Sequence, residues 1–204
     1  MNAKEALSEL RKAEKRNFEQ SIDLIINLKG LDLRKDNVSA IINLPYPSKK
    51  KKVCGFLTKK SSLVHSIMQP DFVKYRDKDM LKKLVKEFDF FIGAASLMPS
   101  VASTFGKVLG PSGKMPSPQL GIVTKEDDDT IQQTLDKIAS ALKIRLKEPS
   151  LKVSIGKENM ADEQLIKNAQ AVFNALVQVL PTGKENVKST MLKLTMGKPL
   201  KVEL

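Results

Sequence analysis

Few residues in this chain could do covalent chemistry, and many could hold an anion. Nucleophilic catalysis needs a thiol or hydroxyl beside a base. The single cysteine, Cys54, lies in an apolar strand-like run, where thiols are usually inert packing groups. The single histidine, His65, lies 11 residues further on and reads as a packed or edge residue. One His and one Cys cannot build a usual structural zinc site. The acidic run Glu126–Asp129 reads as a solvated helix start, favoured there by the helix dipole, rather than as a metal site. VLGPSGKMP (108–116) invites a phosphate-cradling loop, which requires Gly, four residues, then Gly-Lys and a hydroxyl. Val108 stands where the first glycine should be and Met115 where the hydroxyl should be, while Pro111, Pro116 and Pro118 remove backbone donors. A phosphate- or nucleotide-binding α/β protein using Gly110–Lys114 is therefore the alternative to the reading that follows. No cofactor, metal or catalytic residue is expected.

The richer stretch is KSTMLKLTMGKP (188–199). It alternates like a strand, carries Lys188, Lys193 and Lys198, and ends in Thr195-Met196-Gly197. A glycine there lets a partner's backbone approach, and the threonine can donate to a phosphate or a ribose. A C-terminal strand ending in a turn is the plain alternative. Lys49–Lys52 are four lysines in a row, either an anion-binding tip or a solvated hairpin end. Arg11, Lys12, Lys15 and Arg16 crowd the end of a first helix, where cations also offset the negative dipole end. Phe18 follows. It is a core residue in most chains, but an exposed Phe beside Arg16 and Asn17 would suit packing against a sugar or base.

The totals agree with an anionic partner. Net charge is +12 over 204 residues, which favours nucleic acid or an anionic membrane surface. Aromatic content of 5% without Trp argues against a row of stacked rings and leaves backbone and shape recognition open. No apolar run approaches the roughly 20 residues of a membrane span. The first helix mixes Glu5, Glu9 and Glu14 with its lysines, which argues against a membrane-surface role. The N-terminus shows no secretory pattern, and one cysteine fits a reducing compartment.

These residues need elements to hold them. Ala6, Leu7, Leu10 and Ala13 predict an amphipathic helix over 2–17. Ile22, Leu24, Ile26 and Leu28 predict a strand with one buried face. Val38, Ala40, Ile42 and Leu44 predict a second strand, stopped by Pro45, and Val53–Leu57 a third. Beyond a boundary at Lys59–Ser62 the rhythm changes. A helix over Met80–Phe88 is capped by Asp77 or Asp79, and Phe90–Ala95 is a strand buried on both faces. Ser96 should cap a helix ending at Gly110, followed by a Pro/Gly-rich loop to Gly121. Ile122-Val123 is a short strand, and a helix runs through Ile131, Leu135 and Ile138. Strand–helix–strand–helix is a parallel α/β unit. After residue 143 come strands through Ile144–Lys147 and Leu151–Ile155, a long helix over 165–180, and strands at 187–196 and 200–204.

The predicted fold class is α/β with two domains. Residues 1–62 and 139–204 form a discontinuous α+β domain, and 63–138 an inserted βαβ, Rossmann-like parallel α/β domain. On these cuts residues 1–62 carry 14 Lys/Arg against 7 Asp/Glu, 63–138 carry 10 of each, and 139–204 carry 11 against 6. The flanks thus hold the whole positive surplus and the insertion none.

FDFFIGAASLMPSVASTFGKVLGPSGKMPSP (88–118) strongly resembles the hallmark stretch of the family of the first protein of the large ribosomal subunit. The terminal Thr195-Met196-Gly197 and the segment VSIGKENMADEQLIKNAQAVFNALVQVLP (153–181) also fit, so the match covers nearly the whole chain. The short start and the KLTMGKP ending resemble archaeal-type members. The resemblance implies a non-enzymatic, RNA-binding ribosomal protein with one domain inserted into the other. It implies large-subunit ribosomal RNA as partner in the mobile stalk at the tRNA exit site, contact with exit-site tRNA, and translational repression through its own messenger RNA. It also implies a cytoplasmic, ribosome-bound protein, monomeric when free and without a membrane partner. The RNA-binding residues expected on this basis are Arg16, Asn17, Phe18, Ser21, Lys147, Ser189, Thr195, Met196 and Gly197. Three departures stand out: Asn17 where a lysine is frequent, Lys198 between Gly197 and Pro199, and Ala161 in place of a serine cap before Asp162.

Overall fold

Alternation of apolar and polar residues in Ser21–Leu28 (β1) makes this strand the centre of an antiparallel sheet with one dry face. In the computed structural model, which describes residues 1–12, 16–32, 38–47, 51–146 and 148–203, the chain forms two compact units. The first comprises Met1–Lys49 and Ser140–Leu204, the second Lys50–Ala139.

In the first unit β1 lies between Ser150–Lys157 (β8) and Val187–Leu194 (β9), with Leu200–Val202 (β10) outside β9, all antiparallel. Helices Ala3–Arg11 (α1) and Asp162–Val179 (α5) contribute apolar stripes to a core shared with this sheet's inward face: Leu7 and Leu10 from α1, Leu165, Val172 and Leu176 from α5. That core also takes Ile22, Leu24 and Ile26 from β1 and Leu192 and Leu194 from β9. Glu5 accepts the Asn2 N–H at 3.2 Å and so closes the start of α1. Ser39–Asn43 (β2) and Ala141–Arg145 (β7) pair as a separate two-stranded ribbon. The fully buried Asn168 of α5 fastens the exit of β2. Its amide nitrogen donates to the carbonyls of Tyr46 and Ile155, and its oxygen accepts from the Tyr46 N–H. A buried amide with each end satisfied fixes chain position at little cost.

The second unit has a parallel sheet ordered His65–Ile67 (β4), Val53–Phe56 (β3), Phe90–Ala94 (β5) and Ile122–Val123 (β6). Lys78–Glu87 (α2) and Met98–Ser112 (α3) share a core with Phe56, Phe72, Phe91 and Phe105. A second cluster joins Leu57 and Ile92 to Ile131 and Ile138 of Asp128–Ser140 (α4). Two cores around one sheet explain why Phe90–Ala94 is apolar throughout.

Three sequence expectations need correction. The boundary expected at residue 62 falls before β3, because β3 pairs in parallel with β4 and β5 and cannot leave that sheet. Lys50–Lys52, Lys59 and Lys60 move with it. The discontinuous unit then carries 20 Lys/Arg against 13 Asp/Glu and the inserted unit 15 against 10, so the insertion is not neutral. Helix α3 does not end at Gly110. It continues through Pro111 to Ser112, and Gly113 at φ 72° closes it, with its N–H and that of Lys114 donating to Gly110 and Leu109 carbonyls. Ser96 lies in a 3-10 turn and does not cap α3, whose cap position is Leu97.

Candidate nucleic-acid interface

Where β1 begins and β9 ends, two large apolar side chains face solvent. Phe18 is 54% exposed and Met196 is 66% exposed. Leaving such surface wet costs free energy unless a partner covers it. The segments around them are joined by polar contacts. The Thr195 Oγ1 accepts the Ser21 N–H at 3.0 Å and donates to the Ser21 carbonyl at 3.2 Å. The Thr195 N–H also donates to that carbonyl, at 3.0 Å. Gln20, 3% exposed, accepts the Met196 N–H on its side-chain oxygen, and its carbonyl accepts the Glu158 N–H at 2.9 Å. Three segments, 16–21, 157–160 and 195–197, are thereby drawn to one end of the sheet.

A shallow depression of about 410 Å³ opens there, lined by Arg16, Asn17, Phe18, Glu19, Glu158 and Asn159. Lys157 pairs with Glu19 beside it. Arg11 grips Asp162 at 2.6 Å and the Met160 carbonyl at 2.7 Å, which steadies the 157–160 turn from the α1 side. Gly197 follows Met196 in a tight turn, its N–H donating to the Leu194 carbonyl.

The outward face of the sheet continues from this end in rows set by register. Asp23 lies opposite Lys193 and Ser154, Ile25 opposite Met191 and Lys152, and Asn27 opposite Ser189 and Ser150; Lys201 lies opposite Met191. Asp23 is the one acid in these rows. Partial burial raises its pKa above the ordinary aspartate value, against the opposing pull of the Lys193 charge and the Ser154 hydroxyl.

Seven of the nine residues singled out in the sequence thus come together: Arg16, Asn17, Phe18, Ser21, Thr195, Met196 and Gly197. Ser189 lies six residues back along β9, roughly 20 Å away at strand rise, on the same outward face. Lys147 falls outside the described residues. The sequence reading missed Gln20, Glu158, Asn159, Asp23 and Asn27. Gln20 carried a signal: it is in phase with Ile22 and Leu24 on the inward face, where a polar side chain must find a partner.

The inserted unit uses its suggestive residues internally. Lys114 Nζ donates to the carbonyls of Val85 and Phe88 at 2.7 Å each, at the end of α2, so the lysine of the would-be phosphate loop closes a helix C-terminus. Lys51, from the four-lysine run, donates to the Ile138 carbonyl at 2.8 Å near the end of α4 and lies over the Phe90 ring; burial lowers its pKa. Glu126 accepts the Thr58 N–H and hydroxyl and the Lys59 N–H, and Asp128 accepts the Ser61 hydroxyl, so this acidic run ties down a loop. Burial, with the nearby Glu87 charge, pushes the Cys54 thiol up to about 12. His65, on an edge strand, stacks on Phe88 at 5.3 Å. Among the described residues no cluster of His, Cys, Asp or Glu is placed to hold a metal ion, and no helix is long and apolar enough to cross a membrane.

The site is thus a wet, cationic sheet face on a discontinuous α+β unit into which a parallel α/β unit is inserted. The sequence matches the ribosomal protein L1p/L10e family over residues 10–198, and the chain belongs to that family. It is 33% identical to the large ribosomal subunit protein uL1 of Thermococcus kodakarensis, over 98% of this chain and 95% of that protein. It is 34% identical to the uL1 proteins of Methanothermococcus thermolithotrophicus, over 99% and 98%, and of Nanoarchaeum equitans, over 94% and 95%. The resemblance is to archaeal-type members, and the family is one of structural, non-enzymatic proteins.

Proposed function

We propose that this chain is a structural protein of the large ribosomal subunit that binds ribosomal RNA with the end and outward face of its antiparallel sheet. The observation that carries the reading is the exposure of Phe18 and Met196 at a sheet end held together by the Ser21–Thr195 and Gln20–Met196 hydrogen bonds, with hydroxyls and lysines on the adjoining face. Lys193 and Lys201 neutralise phosphates, Ser21, Ser189 and Thr195 meet 2′-hydroxyls and phosphate oxygens, and Phe18 and Met196 pack where the groove opens. Gly197 keeps the turn narrow where RNA backbone approaches, Arg16 and Asn17 flank Phe18, and Lys147 adds charge.

The same surface, in this proposal, serves the mobile stalk at the tRNA exit site and represses translation when it binds the protein's own messenger RNA. The protein works in cytoplasmic ribosomes and contacts exit-site tRNA. Filter binding over a salt series tests the core of this reading, using an RNA fragment carrying the stalk helix–loop of large-subunit ribosomal RNA. Phe18→Ala should weaken binding by about 1–3 kcal/mol. Equal affinity of the wild type for that fragment and for an unrelated duplex of the same length would sink the assignment.

A further inference from the structure

On the outward face a side-chain hydrogen-bond chain crosses three strands at one level. Ser150 of β8 donates its hydroxyl to the Asn27 side-chain oxygen at 2.9 Å, and the Asn27 amide nitrogen donates to Ser189 Oγ at 3.0 Å. The register places Asn27 opposite Ser150 on one side and Ser189 on the other. Asparagine is a poor choice for a central strand on propensity alone, and a β-branched residue would serve the sheet better. Here each end of the amide meets a serine, so the residue is a connector between two hydroxyls.

The direction of this chain has a chemical consequence. A serine hydroxyl has one proton and two lone pairs. Because Ser189 Oγ accepts from Asn27, its proton is left over, and no acceptor among the described residues takes it. Thr195, at the other end of the same face, is set the opposite way: its proton goes to the Ser21 carbonyl, and a lone pair remains. Of these two hydroxyls, only Ser189 therefore keeps a proton to offer a partner.

We propose that Asn27, backed by Ser150, is a positioning residue that presents Ser189 as a hydrogen-bond donor to a phosphate oxygen of the bound RNA. The proposal rests on the RNA-binding reading above and adds a residue to it. Asn27 does not itself touch RNA; it acts by holding the Ser189 oxygen from behind, so that the hydroxyl need not reorganise when RNA arrives. In the structure Ser150 holds the amide oxygen and the amide nitrogen faces Ser189.

The test is a double-mutant cycle on the full-length protein, with the stalk helix–loop RNA as probe. Ser189→Ala and Asn27→Leu should each weaken binding about tenfold, the size of one hydrogen bond to a charged acceptor. The double variant should bind like Ser189→Ala alone, because Asn27 acts only through Ser189. A structural role would instead lower the unfolding midpoint and cost the same affinity in both backgrounds. Asn27→Asp, nearly isosteric, covers the case in which the leucine variant does not fold. Its carboxylate accepts from both serines, turns Ser189 into an acceptor, and should weaken binding even at high salt. In the Ser189→Ala background only a salt-sensitive charge effect should remain. Independent, additive losses, or wild-type binding by both Asn27 variants while Ser189→Ala is weakened, would overturn the relay alone. Wild-type binding by Ser189→Ala, or no preference of the wild type for this RNA, would overturn the relay together with the reading beneath it.

Discussion

In the discontinuous unit the sheet β10-β9-β1-β8 buries one face, and Lys193 and Lys201 stand on the other. In the inserted unit apolar cores surround a parallel sheet, and Lys51 and Lys114 turn onto the carbonyls at helix ends. By structural unit the surpluses are similar, +7 and +5, so net charge does not separate the two. What differs is the use made of particular lysines. Among the described residues no ion pair holds Lys193 or Lys201, whereas Lys114 meets two carbonyls at hydrogen-bond distance. Lys193 and Lys201 are available to a polyanion, whereas Lys152 and Lys157 of the same sheet are ion-paired and Lys114 belongs to the fold.

That contrast can be broken by substitution. Lys114→Met should cost the most, about 2–3 kcal/mol of stability from the loss of charged hydrogen bonds to part-buried carbonyls. Its RNA affinity should be unchanged, as urea unfolding and filter binding would read. Thr195→Val should behave in the opposite sense, losing about 1–3 kcal/mol of RNA affinity. Some loss of stability should accompany it, since the Ser21 N–H loses its side-chain acceptor. If Lys114→Met weakened RNA binding as much as Thr195→Val, the division of labour would be wrong.

Lys201→Ala should leave the unfolding midpoint alone and lower the slope of log affinity against log salt by about 0.7–0.9, the release of one counterion. The smallest effect is expected of Asp23→Asn. Because the folded-state pKa of Asp23 is raised, chiefly by partial burial, its contribution to stability is complete below the ordinary aspartate range and is lost as pH rises through the raised value. The asparagine variant should therefore be slightly more stable than the wild type at pH 7, with the difference closing in acid. Its RNA affinity should rise, since the one acid in these rows of the face is gone. Urea midpoints at pH 7 and pH 3 would read the first effect.

Much of the scaffold was legible in the sequence. The alternation in Ser21–Leu28, the double burial of Phe90–Ala94, an aspartate cap on α2 and the stripe of α5 follow from periodicity and capping chemistry; the structure has each of them and chooses Asp77 over Asp79 as the cap. The assignment of β3 was not legible from order along the chain, since a short strand at a crossing point continues either unit. Its unbroken apolar run, like that of β5, was the available sign of a sheet buried on both sides. The end of α3 was misplaced because Gly110-Pro111 looks like a stop. Proline in a last turn lacks only an N–H, and the left-handed Gly113 supplies the true end. At the candidate site, Phe18 and the Thr195-Met196-Gly197 turn were suggested by residue type and singled out by the family likeness, while Ser21 came from the likeness alone. Asn27 and Asp23 read as filler on a wet face, because whether a polar residue solvates or organises its neighbours depends on cross-strand register, which periodicity does not give.

The central place of β1 has one more consequence. Its partners β8 and β9 come from the other end of the chain, so no part of this sheet can form until more than half of the protein has been made. The inserted unit is complete by residue 139 and can fold while the rest is still being synthesised. The sheet face proposed to meet RNA is therefore the last part of the two units to be assembled. On the proposal above, a nascent chain should not bind the stalk RNA until β9 has emerged.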